Sequence, residues 1–204
     1  MNSFDVLIIG GGAAGLSCAL ILGSAVNKPF AKDKKIGIIT HQKSSALKSA
    51  ELNNVLGFKK GTKGDEILVN GLDQLSEVYP EVIQIEKEKV TKIEGKSPDF
   101  IVFTNKNNYK AKMVVVAVGP SKLFNIEGLT QFVEPHHNLP PQKERIMLKN
   151  VNHLVSDGIF VSGILAGHIS QYAIAAGSGA QVATDILKEW NNGNITMIHD
   201  IFEQ

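Results

Sequence analysis

The chain has 204 residues, enough for one well-packed core but not for two full nucleotide-binding domains. Its 43% hydrophobic and 20% charged residues are those of an ordinary globular protein, and a net charge of +1 gives no reason to expect nucleic acid or an anionic membrane as a partner. No uninterrupted apolar run is long enough to span a bilayer, and Asp5 with a glycine triplet argues against a signal peptide at residues 6–22, so a soluble cytoplasmic protein is expected.

Residues 5–9 read as a buried strand that runs straight into Gly10-Gly11-Gly12-Ala13-Ala14-Gly15 and then a helix over 13–22. In that order a GxGxxG has a mechanism: Gly10 permits the tight turn, Gly12 lets backbone approach a pyrophosphate, and Gly15 lets helix and strand pack closely. The helix start then offers unpaired N–H groups to the phosphates. The lone cysteine, Cys18, lies in this helix and has no partner for a disulfide or a CxxC, so it reads as a small core residue.

A polar connection leads to a second strand over 36–40. Residues 65–78 form an amphipathic helix, with Ile67, Leu68, Leu72, Leu75 and Val78 on or near one face. A strand over 82–85 follows. Three short strands over 90–94, 100–104 and 109–112, joined by turn signals, read as an antiparallel meander. The run 113–118 is all apolar, as in a strand buried on both faces. Residues 132–145, with Pro135, Pro140 and Pro141, read as irregular, ahead of a short strand over 159–162 and a final helix over 168–190. The fold class is α/β: a single Rossmann-like domain over 1–204, with a parallel sheet, helices and a three-stranded antiparallel meander.

With these elements placed, the chain resembles the FAD-binding domain of the thioredoxin reductase-like pyridine nucleotide-disulfide oxidoreductases. Residues 6–15 match the opening fingerprint. Asn54-Val55-Leu56-Gly57-Phe58 resembles the family's Asn-x-Pro-Gly-Phe, and Val90-Thr91-Lys92-Ile93 the stretch whose backbone holds adenine. Ala117-Val118-Gly119 stands where the family has Ala-Thr-Gly, and residues 158–163 resemble its closing Gly-Val-Phe-Ala-Ala-Gly-Asp strand. The resemblance implies non-covalently bound FAD. It places the pyrophosphate at Gly10, Gly12, Ala13, Ala14 and Gly15, and the adenosine at Thr40, His41 and Val90. Asn54, Ala117, Val118, Gly119, Gly163 and Ile164 complete the cleft, and Ser170, Gln171 and Tyr172 lie towards the flavin ring.

The departures are as informative. The family inserts an NAD(P)H domain with a redox CxxC between its Ala-Thr-Gly and closing strands. Here residues 120–157 contain neither, and 130–146 look like a shortened linker. Thr40 stands where the second strand normally ends in an acid that accepts from ribose hydroxyls, and Ile164 replaces the closing aspartate. No side chain stands out as a general acid or base, so no catalytic residue is named. His136 and His137 read as a solvated loop pair, with a proton relay near the flavin as the sharper alternative. They lack further Cys or His at ligand spacing, so no metal is expected. Tyr172 either shields the ring or fills the core.

The reading is an FAD-dependent oxidoreductase without dithiol chemistry, its electrons coming from a separate donor protein or a diffusible reductant. The alternative is a non-catalytic flavin module, or a flavin-free subunit acting through protein contacts. The lysines at 59, 60 and 63 read as a solvated loop, or as a docking patch for an acidic redox partner. A homodimer is expected, because family members pair through this domain.

Overall fold

An apolar run with no polar interruption is stable as a strand only when both faces are covered. Strand β1 (Ser3–Ile9) meets this condition: Val6, Leu7, Ile8 and Ile9 are all buried. The computed structural model describes residues 1–41 and 45–199. From β1 the chain enters α1 (Ala13–Ser24) and β2 (Ile36–Thr40), then a ribbon of β3 (Glu51–Leu52) and β4 (Thr62–Lys63), and α2 (Gly64–Val78). Next come β5 (Ile83–Glu86), β6 (Val90–Glu94), β7 (Phe100–Thr104) and β8 (Asn108–Val116). The last part holds β9 (Val133–Pro135), β10 (Ile146–Leu148), β11 (Leu154–Ser156), β12 (Ile159–Val161) and α3 (Tyr172–Trp190).

The main sheet has the order β11-β12-β8-β1-β2-β5. Its strands from β12 to β5 are parallel, and β11 is an antiparallel edge. Strands β6 and β7 pair antiparallel and are joined to the first half of β8, which makes the meander. The sequence suggested two strands, 109–112 and 113–118; they are one. Burial along β8 alternates over Tyr109, Ala111 and Met113 and becomes continuous from Val114 to Val116. The hydrophobic period changes without a break in the backbone, because only the second half is covered on both faces.

Two hydrophobic layers flank the sheet. Val6, Ile8, Ile38 and Val115 pack with Leu22 of α1 and Ile186 of α3. Leu7, Ile39, Val114 and Val116 pack with Phe100 and Val102 of the meander and with Leu129, Leu148 and Leu165. The helices touch closely: a Cβ on Gly179 of α3 would stand 1.9 Å from the Ala14 carbonyl oxygen.

Two further expectations are corrected. The stretch 132–145 is not irregular throughout, since β9 and β10 pair as a hairpin from Leu148↔Val133 to Ile146↔Pro135, with a 3-10 turn at Pro141–Lys143 between them. Pro135 ends its strand, where a missing N–H is tolerated. The final helix starts at Tyr172 and not at residue 168: a 3-10 turn over Gly163–Ala166 ends on Gly167 in the left-handed conformation, the chain bends at Ser170 with Gln171 N donating to Ile169 O (2.9 Å), and Gln171 is the extended residue from which the helix begins. No described helix is long and apolar enough to cross a membrane.

Candidate cofactor site

The parallel strands end together, and backbone bonds carry their register one residue further. Gly10 N donates to Ile39 O (2.9 Å), Ala117 N to Ile9 O (2.8 Å) and Ser162 N to Val116 O (3.0 Å). The segments after β1, β2, β8 and β12 therefore share one carboxyl edge, where open α/β sheets bind ligands. At that edge the three motif glycines do different work. Gly10 has φ 116°, and a Cβ on Gly15 would lie 1.8 Å from the Gly10 carbonyl oxygen, so both are required by the turn itself. Gly12 is not. Its backbone is ordinary extended chain (φ −89°, ψ −171°), and a Cβ there would meet nothing within 4 Å. The missing side chain leaves open space in front of α1, whose first turn has neither a capping side chain nor an acid. That combination suits an anion.

The edge brings together Gly10 to Gly15, Thr40, His41, Ala117, Val118, Gly119, Gly163 and Ile164. Thr40 is buried and His41 half-buried. Ala13 opens α1, and Ala14 lies against Gly163, which has φ 75° and donates its N–H to Ser178 Oγ (2.8 Å). Val90 is buried at the start of β6. Ser162 Oγ is buried at the end of β12 with no hydrogen-bond partner among the described residues. Asn54 is placed differently. It is exposed in the loop between β3 and β4, which closes on itself through Asn53 Oδ1 and Gly61 N. Phe58 of that loop does reach the start of α3, edge-on to Tyr172 with centroids 5.1 Å apart. Tyr172 is half-buried and its phenol pKa is raised by burial, whereas Ser170 and Gln171 are exposed.

The solvated reading of the histidine pair holds for His137 and fails for His136. His136 is buried and His137 exposed. Asn138 N donates to His136 Nδ1 (3.2 Å), which leaves Nε2–H to donate to Ile164 O at 2.9 Å. Asn138 Nδ2 donates to Gly167 O (2.9 Å) and Asn150 Nδ2 to Ala166 O (3.1 Å). Three side chains from the hairpin region thus satisfy three carbonyls of the turn that leads into α3. No local sequence signal announces this, because each partner lies 16 to 29 residues away.

Beside this turn His153 and His168 face each other with ring centroids 5.2 Å apart. They line an open polar cavity of about 500 Å³ with Asn150, Asn152, Gln181 and Asp185. His168 has its pKa lowered by burial and then by the nearby His153 and His136. Among the described residues, no group of three or more His, Cys, Asp or Glu could hold a metal ion. Cys18 is fully buried, and burial pushes its thiol pKa up, so it packs as a hydrophobe and carries no reactive thiolate.

Residues 4–199 match the model of the pyridine nucleotide-disulphide oxidoreductase family. The chain belongs to that family. It is 25% identical over 199 residues to the uncharacterized oxidoreductase CzcO of Bacillus subtilis, covering 91% of this chain and 52% of that protein. The thioredoxin reductase of Borreliella burgdorferi is 26% identical over 136 residues, covering 61% of this chain and 36% of that protein. The chain thus spans about half, or less, of the length of the curated relatives it matches. A thioredoxin reductase from Gloeobacter violaceus superposes with a TM-score of 0.73 at 16% identity, over 100% of both chains. A ferredoxin-flavin thioredoxin reductase from Clostridium acetobutylicum gives 0.69 at 16% identity, over 94% of this chain and 99% of that one. These likenesses establish a thioredoxin reductase-like fold. Where the sequence led us to expect no inserted NAD(P)H domain, residues 120–157 hold the β9–β10 hairpin and β11.

Proposed function

We propose that this chain binds FAD non-covalently along the carboxyl edge and acts as an oxidoreductase whose electrons come from a separate protein or a diffusible reductant. The observation that carries the reading is the open space at Gly12, in front of an uncapped helix that the fold itself does not require to be open. The residues present fit the group. The first-turn N–H groups of α1 would hold the pyrophosphate, and the backbone at Val90 the adenine. FAD supplies the redox chemistry when bound, while the protein supplies binding, orientation and electrostatics. Helix α3 also starts with no capping side chain and no acid in its first turn. Its positive end favours negative charge on a ring placed near Gln171 and Tyr172.

A separate electron donor is supported by the shortness of 120–157, which holds only the β9–β10 hairpin, short turns and β11, and by the structural neighbour whose name couples ferredoxin to a flavin. Exposed Ile169 and Ile174, beside the Phe58–Tyr172 contact, support a homodimer through this face, which light scattering at micromolar concentration tests. Thr40 and Ile164, standing where acids would accept ribose and ribityl hydroxyls, take away charge-assisted contacts and favour one second reading: a flavin-free subunit that acts through protein contacts. The visible spectrum and flavin content of the purified protein test the proposal. A colourless protein that takes up no FAD would refute it in favour of the second reading, and reduction by added donors separates an enzyme from a flavin module that does not turn over.

A further inference from the structure

Thr40 ends β2 without a carboxylate, yet the adjacent strand ends in one. Strands β2 and β5 are parallel with Thr40↔Glu86 in register, each the last residue of its strand. Parallel neighbours lie about 4.8 Å apart and present paired residues to the same face. Gln84, two residues before Glu86, donates to Leu72 O of α2, which puts Glu86 by alternation on the helix side of the sheet. Ile36 and Ile38 pack with α1 and place Thr40 on that side too.

The turn after Glu86 is fixed. Lys87 takes the left-handed conformation (φ 58°) and donates its N–H to Thr40 O at 2.8 Å. Lys89 N donates to Asn105 Oδ1 (2.7 Å), and Asn105 N donates to Lys89 O (3.0 Å). Glu88 is buried and accepts from Thr104 Oγ1, Asn107 Nδ2 and Tyr109 Oη. Of the two acids in this turn, Glu88 is engaged by the fold. Glu86 is exposed and has no ion pair or side-chain hydrogen bond among the described residues.

We propose that Glu86 supplies, from β5, the carboxylate that accepts the adenosine ribose hydroxyls in place of the acid missing from β2. The proposal rests on the dinucleotide reading of the carboxyl edge, and it makes Glu86 a binding residue for the ribose diol of an adenine nucleotide. A carboxylate there accepts charge-assisted bonds that the Thr40 hydroxyl cannot match.

The test measures dissociation constants for FAD, and for ADP against 2′-deoxy-ADP, on the wild type, Glu86→Gln, Thr40→Glu and the double variant. Glu86→Gln should weaken FAD by about tenfold or more, and should erase the preference for ADP over its deoxy analogue. Thr40→Glu alone should bring no gain, because two carboxylates in register repel. In the Glu86→Gln background it should restore most of the affinity. Unchanged FAD affinity in Glu86→Gln overturns the proposal, as does a loss that leaves the ribose preference intact. A wild type that binds ADP but no FAD would remove the flavin reading and leave this one standing, whereas failure to bind either removes both.

Discussion

Gly12 and Gly15 stand three residues apart in one motif, and the structure predicts opposite consequences for replacing them. At Gly15 a Cβ would lie 1.8 Å from a backbone oxygen that has no freedom to rotate away. The gain in helix propensity from alanine is about 1 kcal/mol, while overpacking of this kind costs about 1–3 kcal/mol or more. Gly15→Ala should therefore lose up to about 2 kcal/mol, which at that limit is roughly 4–8 °C in Tm for a chain of this size. At Gly12 the backbone is ordinary and the space empty. An aspartate there caps α1 and meets its positive end, a gain of about 0.5–1 kcal/mol and roughly 1–4 °C. The same carboxylate would face a phosphate at about 4 Å, costing roughly 4 kcal/mol at an effective dielectric near 20, or about a thousandfold in affinity. Thermal melts of the flavin-free proteins, with FAD titrations beside them, separate the two effects. Gly12→Asp should be at least as stable as the wild type yet hold no FAD. Equal flavin per chain in the two proteins would refute the placement of the pyrophosphate.

His168 has its pKa held below 6.5, so below that value the unfolded chain takes up a proton first; stability should fall as pH drops from 6.5 towards the depressed pKa, and His168→Asn should flatten that slope in urea melts at stepped pH. Burial raises the Glu88 pKa but three donated hydrogen bonds outweigh it, so the carboxylate's contribution is present above 4.5 and lost as pH falls through the depressed value. Glu88→Ala would leave Tyr109, Asn107 and Thr104 without their shared acceptor and should cost about 2–4 kcal/mol by denaturant unfolding. If FAD is bound, NADPH should reduce it slowly and without saturation in stopped flow, and fast saturable reduction would reveal a nicotinamide site on this chain.

What the sequence made legible was what local chemistry decides. The runs of β1 and of the second half of β8 have no polar residue to mark an exposed face, and the glycine turn between β1 and α1 follows from sterics at two positions. The errors came where the deciding partner is remote. His136 looked solvated beside His137 and three prolines, but its place is set by the Ile164 carbonyl 28 residues on. The start of α3 was read too early because helix-compatible residues precede Tyr172, and the bend at Ser170 and the extended Gln171 that delay the helix have no mark in the local sequence. Glu86 was passed over entirely. Its interest lies in a register with Thr40 that only the assembled sheet reveals.

Strand β8 has a bearing on how this molecule opens. Its first half closes the meander, its second half holds β12, and β1 runs beside nearly all of it. Neither part can come apart without disturbing the same strand, so the two layers should behave as one cooperative unit rather than as separate foldons. Native-state hydrogen exchange at Ala111, in the meander, should then require the same opening free energy as at Val115, in the parallel sheet. Release of a bound cofactor would lower both values together.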